Sequence, residues 1–289
     1  MVYDLFIAPF AEFEFMRRAL VGSITLAIGA APVGVFLMLR RMSLTGDAMA
    51  HAILPGAAVG FLIAGLSLPA MTIGGLVAGF IVAILSGAVA RATGMKEDAS
   101  LAAFYLISLA LGVMIVSIRG SNVDLLHVLF GSVLALDDQA LVLIASVATF
   151  TLVILALIWR PLVLECLDPG FLRSVSGSGA VVHLLFLGLV VLNLVGGFQA
   201  LGTLLAVGIM ILPAASARFW TSDITRLILV AGFIGAVSSV AGLLASYHLE
   251  TPTGPAIILS AGAIHIVSML LGPSGGLIIR LLPSRHLEA

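Results

Sequence analysis

Nine apolar runs of membrane-crossing length follow one another along the chain, at about 18–39, 51–68, 70–90, 98–118, 140–159, 181–198, 200–217, 225–246 and 253–271. About 20 residues of helix cover the roughly 30 Å hydrocarbon core of a bilayer. The composition forces the same reading. Hydrophobic residues make up 61 % of the 289 positions, against 13 basic and 14 acidic side chains, and the mean hydropathy is +1.26. So few charges cannot cover the surface of a water-soluble domain of this size. The sequence therefore predicts an all-α, polytopic integral membrane protein of about nine spans, with a single transmembrane domain over 1–289. The runs at 51–68 with 70–90 and at 181–198 with 200–217 almost touch. One member of each pair can be broken or re-entrant, which widens the range to eight to ten spans.

Composition also excludes functions. A net charge of −1 without a basic patch leaves no nucleic-acid footprint. The single cysteine, Cys166, rules out an internal disulfide and a cysteine metal cluster. No GxxxxGK[ST] run cradles a phosphate, no HExxH occurs, and Ser, His and Asp fall into no catalytic order. The chain reads as a non-enzyme. If ATP drives it, the nucleotide site is on a partner subunit.

Basic residues set the orientation. With an outside amino end, Arg40, Arg41, Arg91, Lys96, Arg160, Arg173, Arg218, Arg226, Arg280 and Arg285 fall inside, and only Arg17, Arg18 and Arg119 fall outside. The connection 119–139 then faces outside. The connection 160–180 faces the cytoplasm, where a short surface element around Pro169–Arg173 offers a handle for a soluble partner.

Ala52, Gly56, Gly60 and Ala64 recur every four residues, as do Gly75, Gly79, Ala83 and Gly87. Such stripes let helix backbones approach closely in lipid. Ahead of the first stripe, Asp47 and His51 lie one helical turn apart, so a carboxylate and an imidazole share a face. Pro55 lacks the N–H that would bond the His51 carbonyl, which predicts a bend. Ionisable groups at a span entrance are costly unless they have a task. The pair reads either as a contact for a divalent cation or as a hydrogen-bonded structural pair, and two ligands make only half a site. Near the other end, His248 and Glu250 precede Pro252, Gly254 and Pro255. They read either as receivers of a cation arriving from outside or as ordinary loop residues. His183 reads as an interfacial residue, and His265 as a core histidine or a pore group.

The segment LTGDAMAHAILPGAAVGF at 44–61 resembles the second-span motif of the ABC-3 family, the membrane subunits of ABC-type importers for zinc, manganese and iron ions. DLLHVLFGSVLAL at 124–136, LGTLLAVGIMILPAASARF at 201–219 and SYHLETPTGPAIIL at 246–259 are similar to the same family, so the likeness runs along almost the whole chain. Asp168-Pro169-Gly170-Phe171 resembles its cytoplasmic element, with Leu167 where the family usually has Phe. Tyr247-His248-Leu249-Glu250 stands where the family usually has Tyr-Tyr-Leu-Asp. The resemblance implies the ABC-3 permease fold and a multi-pass subunit of the bacterial cytoplasmic (inner) membrane. The implied assembly is a homodimeric or paired permease with two ABC ATPase subunits and an extracytoplasmic metal-binding protein. No cofactor is implied as permanently bound: zinc or manganese, or else iron, is the transported substrate, and ATP belongs to the partner. Asp47 and His51 are carried onto the metal path, and Asp168 through Arg173, with Phe171, onto the ATPase contact; the docking segment expected from this runs over 165–173 and includes Glu165. The alternatives are an iron-chelate or cobalamin importer permease, or an ion-gradient-driven cation transporter.

Overall fold

The computed structural model describes residues 2–65, 67–119, 133–168, 171–172 and 179–278. Two short helices, α1 (Val2–Phe6) and α2 (Ala8–Glu12), precede the bundle. The helices α3 (Glu14–Leu39), α4 (Ser43–Ala52), α5 (Leu54–Ala64), α6 (Leu68–Thr93) and α7 (Glu97–Arg119) follow. After a 3-10 turn at Val133–Ala135 come α8 (Asp138–Leu167), α9 (Gly179–Leu201), α10 (Thr203–Ala217), α11 (Ile224–Leu249) and α12 (Thr253–Leu271).

Among the described residues, eight helices are long and apolar enough to cross a membrane, counting α4 and α5 as one broken span. The expected seventh span is different. Helix α10 is apolar but has 15 residues, a rise of about 22 Å, and so falls short of the hydrocarbon thickness. Gly202 sets its start. It holds φ +95°, a conformation open to glycine, and reverses the chain between α9 and α10 in a single residue.

Contacts at the helix ends record the alternation. Arg18 meets Asp138 at 3.2 Å, and the Phe13 and Tyr247 rings lie 5.8 Å apart, so the start of α3, the start of α8 and the end of α11 share one end of the bundle. At the other end Trp220 Nε1 donates to Ser268 Oγ (2.9 Å), and the Ser274 N–H donates to the Phe219 carbonyl (2.8 Å). Helices α3 and α9 are the most deeply packed spans, and Phe36 on α3 meets Trp159 of α8 and Phe186 of α9 edge-on. The outer helices leave Ile81, Leu157, Phe233 and Leu259 exposed. In lipid these side chains are solvated by hydrocarbon, which is why the pattern is stable there and would aggregate in water.

The second span breaks where Pro55 predicts it. Helix α4 ends at Ala52, Ile53 is the fully buried joint, and α5 starts at Leu54. From there α5 and α6 form a tight hairpin. A Cβ on Gly56 would overlap the carbonyl oxygen of Gly74, and one on Gly74 would overlap that of Gly56. The partner of the first small-residue stripe is thus Gly74, outside the second stripe. Gly75 and Gly79 of that second stripe face Val195 and Val191 of α9. Alanine at position 56 would gain about 1 kcal/mol of helix propensity. The clash is with backbone that cannot rotate away, and overpacking of about 1–3 kcal/mol outweighs the gain. Gly56→Ala is therefore expected to lower the melting temperature of the detergent-solubilised protein; an unchanged or higher value would refute the close crossing.

Candidate metal path and partner surface

Helix α3 ends in a motif that turns the chain towards the candidate site. Arg41 adopts φ +59°, the Met42 N–H reaches back to the Leu37 carbonyl (2.8 Å), and the Arg41 N–H reaches that of Met38 (3.0 Å). These two bonds satisfy carbonyls that the helix end would otherwise leave open. Helix α4 starts directly afterwards and carries Asp47 and His51 on one face.

His51 Nε2 lies 3.8 Å from Asp47 Oδ1, with the side chains 35 % and 64 % exposed respectively. That separation is too long for a hydrogen bond and shorter than two metal–ligand bonds of about 2.1 Å end to end. One small cation can touch both atoms without moving either helix turn. The far ring nitrogen, Nδ1, is buried and has no hydrogen-bond partner among the described residues. Two contacts from α7 complete the surroundings: the Tyr105 ring stacks on the His51 ring at 6.4 Å and 30°, and Ser108 Oγ donates to the Ala52 carbonyl at 2.8 Å. Sequence reasoning missed both residues. They sit in an apolar run, and no local pattern marks a side chain whose partner is about 55 residues away.

His248 and Glu250 do not join this pair. His248 Nε2 is 2.9 Å from the Leu5 carbonyl, and its ring meets Tyr247 edge-on. Glu250 sits at φ +52° and closes α11, with the Thr251 N–H reaching back to the Ser246 carbonyl at 3.2 Å. Among the described residues, no group of three or more His, Cys, Asp and Glu gathers around one point.

At the opposite end of the bundle, Glu165 turns inward. Arg40 Nη2 lies 3.3 Å from Glu165 Oε1 and in close contact with His183 Nδ1, and these side chains are about one-tenth exposed. The Arg40 guanidinium also lies 5.2 Å from the centroid of the Phe186 ring. The sequence had cast Arg40 only as a topology marker and His183 as an interfacial group. Three residues further along, Asp168 ends α8. Its Oδ1 accepts from the Phe171 N–H (2.9 Å), and its carbonyl accepts from the Leu172 N–H (3.2 Å). This turn leaves Phe171 half-exposed and Leu172 buried. Arg173, Pro169 and Gly170 lie outside the described residues, as does 120–132. His265 meets Ser216 Oγ through Nδ1 at 3.2 Å and the Phe219 ring edge-on, as a packed core histidine does.

Comparison with known proteins agrees with this architecture. The model of the ABC 3 transport family matches residues 12–272. The chain is 34 % identical over 268 residues to the manganese import system permease protein ScaB of Streptococcus parasanguinis, covering 93 % of this chain and 94 % of that one. It is 30 % identical over 270 residues to the chelated iron transport system membrane protein YfeD of Yersinia pestis, covering 93 % and 89 %. Among solved structures, PsaBC from Streptococcus pneumoniae in complex with Fab superposes with a TM-score of 0.83 at 31 % identity, over 95 % of this chain and 97 % of that one. The spans, the broken second helix and the Asp47–His51 turn all lie within the matched range, and the chain belongs to the ABC 3 transport family.

Proposed function

We infer that the chain is the multi-pass permease subunit of an ABC-type importer, carrying divalent metal ions across the bacterial cytoplasmic membrane. The likeness to a manganese import permease over more than nine-tenths of both chains carries this reading. ATP is hydrolysed on a partner ATPase, and an extracytoplasmic binding protein delivers the ion. Manganese is the first candidate cargo, supported by that relative's name. Zinc suits the same carboxylate and imidazole donors. The likeness to a chelated-iron permease favours iron as the second reading.

Asp47 and His51 are the cargo contacts in this proposal. Two ligands replace part of an ion's hydration and still let it go, whereas a closed four-ligand cage would hold it. A second copy of the chain, in a homodimer, would double the set. His248 and Glu250 sit at the bundle end that the basic-residue bias assigns to the outside, apart from Asp47 and His51, and in this proposal they meet the arriving ion there. The cytoplasmic end is then the one holding Arg40, Glu165 and Asp168, and the turn 165–173 is the surface offered to the ATPase. Phe171 supplies the apolar contact, Asp168 shapes the turn, Glu165, turned inward to Arg40, ties the segment to the bundle, and Arg173 completes it.

The test is uptake of labelled manganese, zinc and iron into proteoliposomes holding this chain, its ATPase and its binding protein. ATP-dependent accumulation of manganese or zinc is expected. Uptake driven by an ion gradient without the ATPase would overturn the reading. Phe171→Asp places a charge in an apolar contact. It is expected to abolish co-purification of the ATPase or to uncouple hydrolysis from uptake, and normal assembly and uptake would remove 165–173 from the interface.

A further inference from the structure

We propose that Tyr105 and Ser108 of α7 are positioning residues for His51, setting where its ring stands so that a divalent cation meets His51 and Asp47 together. This rests on the reading of Asp47 and His51 as the cargo contact.

The spacing 105, 108, 112 puts three residues on one face of α7. Each meets a different point of the broken second span. Tyr105 stacks on the ring of His51, and Ser108 donates to the carbonyl of Ala52. Gly112 lies under Pro55, so close that a Cβ there would stand 3.0 Å from the proline nitrogen and 3.3 Å from its Cα. The three contacts run in register along the segment that carries the ligand, bends and resumes as α5.

That segment needs outside support for two reasons. Pro55 has no N–H, so the helical bond that would fix the His51 carbonyl is missing. The neighbouring carbonyl, that of Ala52, is held instead by the hydroxyl of Ser108, which is 6 % exposed. The imidazole lacks its usual anchor as well. A metal-binding histidine normally donates its second ring N–H to an acceptor, which fixes the ring's orientation. His51 Nδ1 is buried, and no acceptor reaches it among the described residues. In this proposal the neighbouring ring of Tyr105, 6.4 Å away between centroids and 30° from parallel, restrains it. The phenol hydroxyl is not required for that, only the ring.

The complete complex in proteoliposomes tests this, with KM and kcat for manganese and zinc uptake measured for Tyr105→Phe, Tyr105→Leu, Ser108→Ala and Ser108→Thr. Loss of a group that orients a metal ligand typically costs about tenfold or more in affinity or activity. Tyr105→Leu and Ser108→Ala are expected to raise KM by about that factor, with a smaller change in kcat, and to alter the manganese-to-zinc preference. Tyr105→Phe and Ser108→Thr are expected to stay near wild type, because the ring and the hydroxyl donor are retained. Wild-type KM in both Tyr105→Leu and Ser108→Ala, beside a His51→Ala complex that has lost uptake, overturns the positioning role and leaves the cargo site standing. A loss in Tyr105→Phe as large as in Tyr105→Leu also overturns it, since the hydroxyl would then be the working group. Normal uptake by His51→Ala overturns the cargo reading and this inference together. If Tyr105→Leu fails to assemble, the two Ser108 variants still decide.

Discussion

Complexes carrying Asp47→Asn or His51→Ala are expected to assemble with their ATPase in normal amounts and to take up manganese and zinc about tenfold more slowly or worse, the scale of a lost interaction of about 1.4 kcal/mol. Asparagine keeps the shape of Asp47 and removes the charge. Alanine removes the imidazole nitrogen that faces it at 3.8 Å. Both side chains are partly exposed, so neither change opens a large cavity in the core. A transport defect without an assembly defect is therefore the signature of a cargo contact. Uptake normalised to intact complex measures it. Wild-type rate and affinity in both variants would make the pair structural.

A larger loss of stability is expected from Arg40→Met. The guanidinium is nearly buried between Glu165 and His183, and removing it leaves a carboxylate in a poorly hydrated setting. Breaking a buried ion pair from one side costs about 3–5 kcal/mol, whereas replacing both partners with apolar groups is often neutral or better. The double variant Arg40→Met/Glu165→Met should accordingly melt above Arg40→Met alone when the detergent-solubilised protein is heated. A single variant as stable as wild type would show that the pair contributes nothing. Arg40→Lys tests the planar geometry, because an ammonium cannot hold both partners and lie over Phe186 in the same way.

The spans were legible because lipid imposes one rule on every stretch of backbone: bond internally and present apolar side chains. Pro55 announced the break in the second span, since a missing N–H is a local property. The shortness of α10 was not legible. Gly202 marks its start, but the run from 200 to 217 is as apolar as a full crossing. The two helices before Glu14 were missed because five-residue helices carry too little periodicity to be seen. At the candidate site, Asp47 and His51 could be read from one helical turn. Tyr105 and Ser108 could not, because their meaning comes from a contact between α4 and α7. Glu165 shows the same limit. In the sequence it looks like a surface acid in a cytoplasmic connection, and only the fold brings it to Arg40.

The Arg40 cluster also bears on how the protein is made. Glu165 and His183 lie 125 and 143 residues after Arg40 in the chain, and at roughly 5–20 residues per second these partners leave the ribosome about 6–29 s after it does. During that interval α3 sits in the bilayer with its guanidinium at the interface and no carboxylate to meet. The cluster closes only once α8 and α9 have been inserted in the correct orientation. A helix inserted the wrong way round leaves Arg40 uncompensated at one surface and Glu165 at the other. Closing of the pair thus depends on the orientation in which α3 and α8 have been inserted.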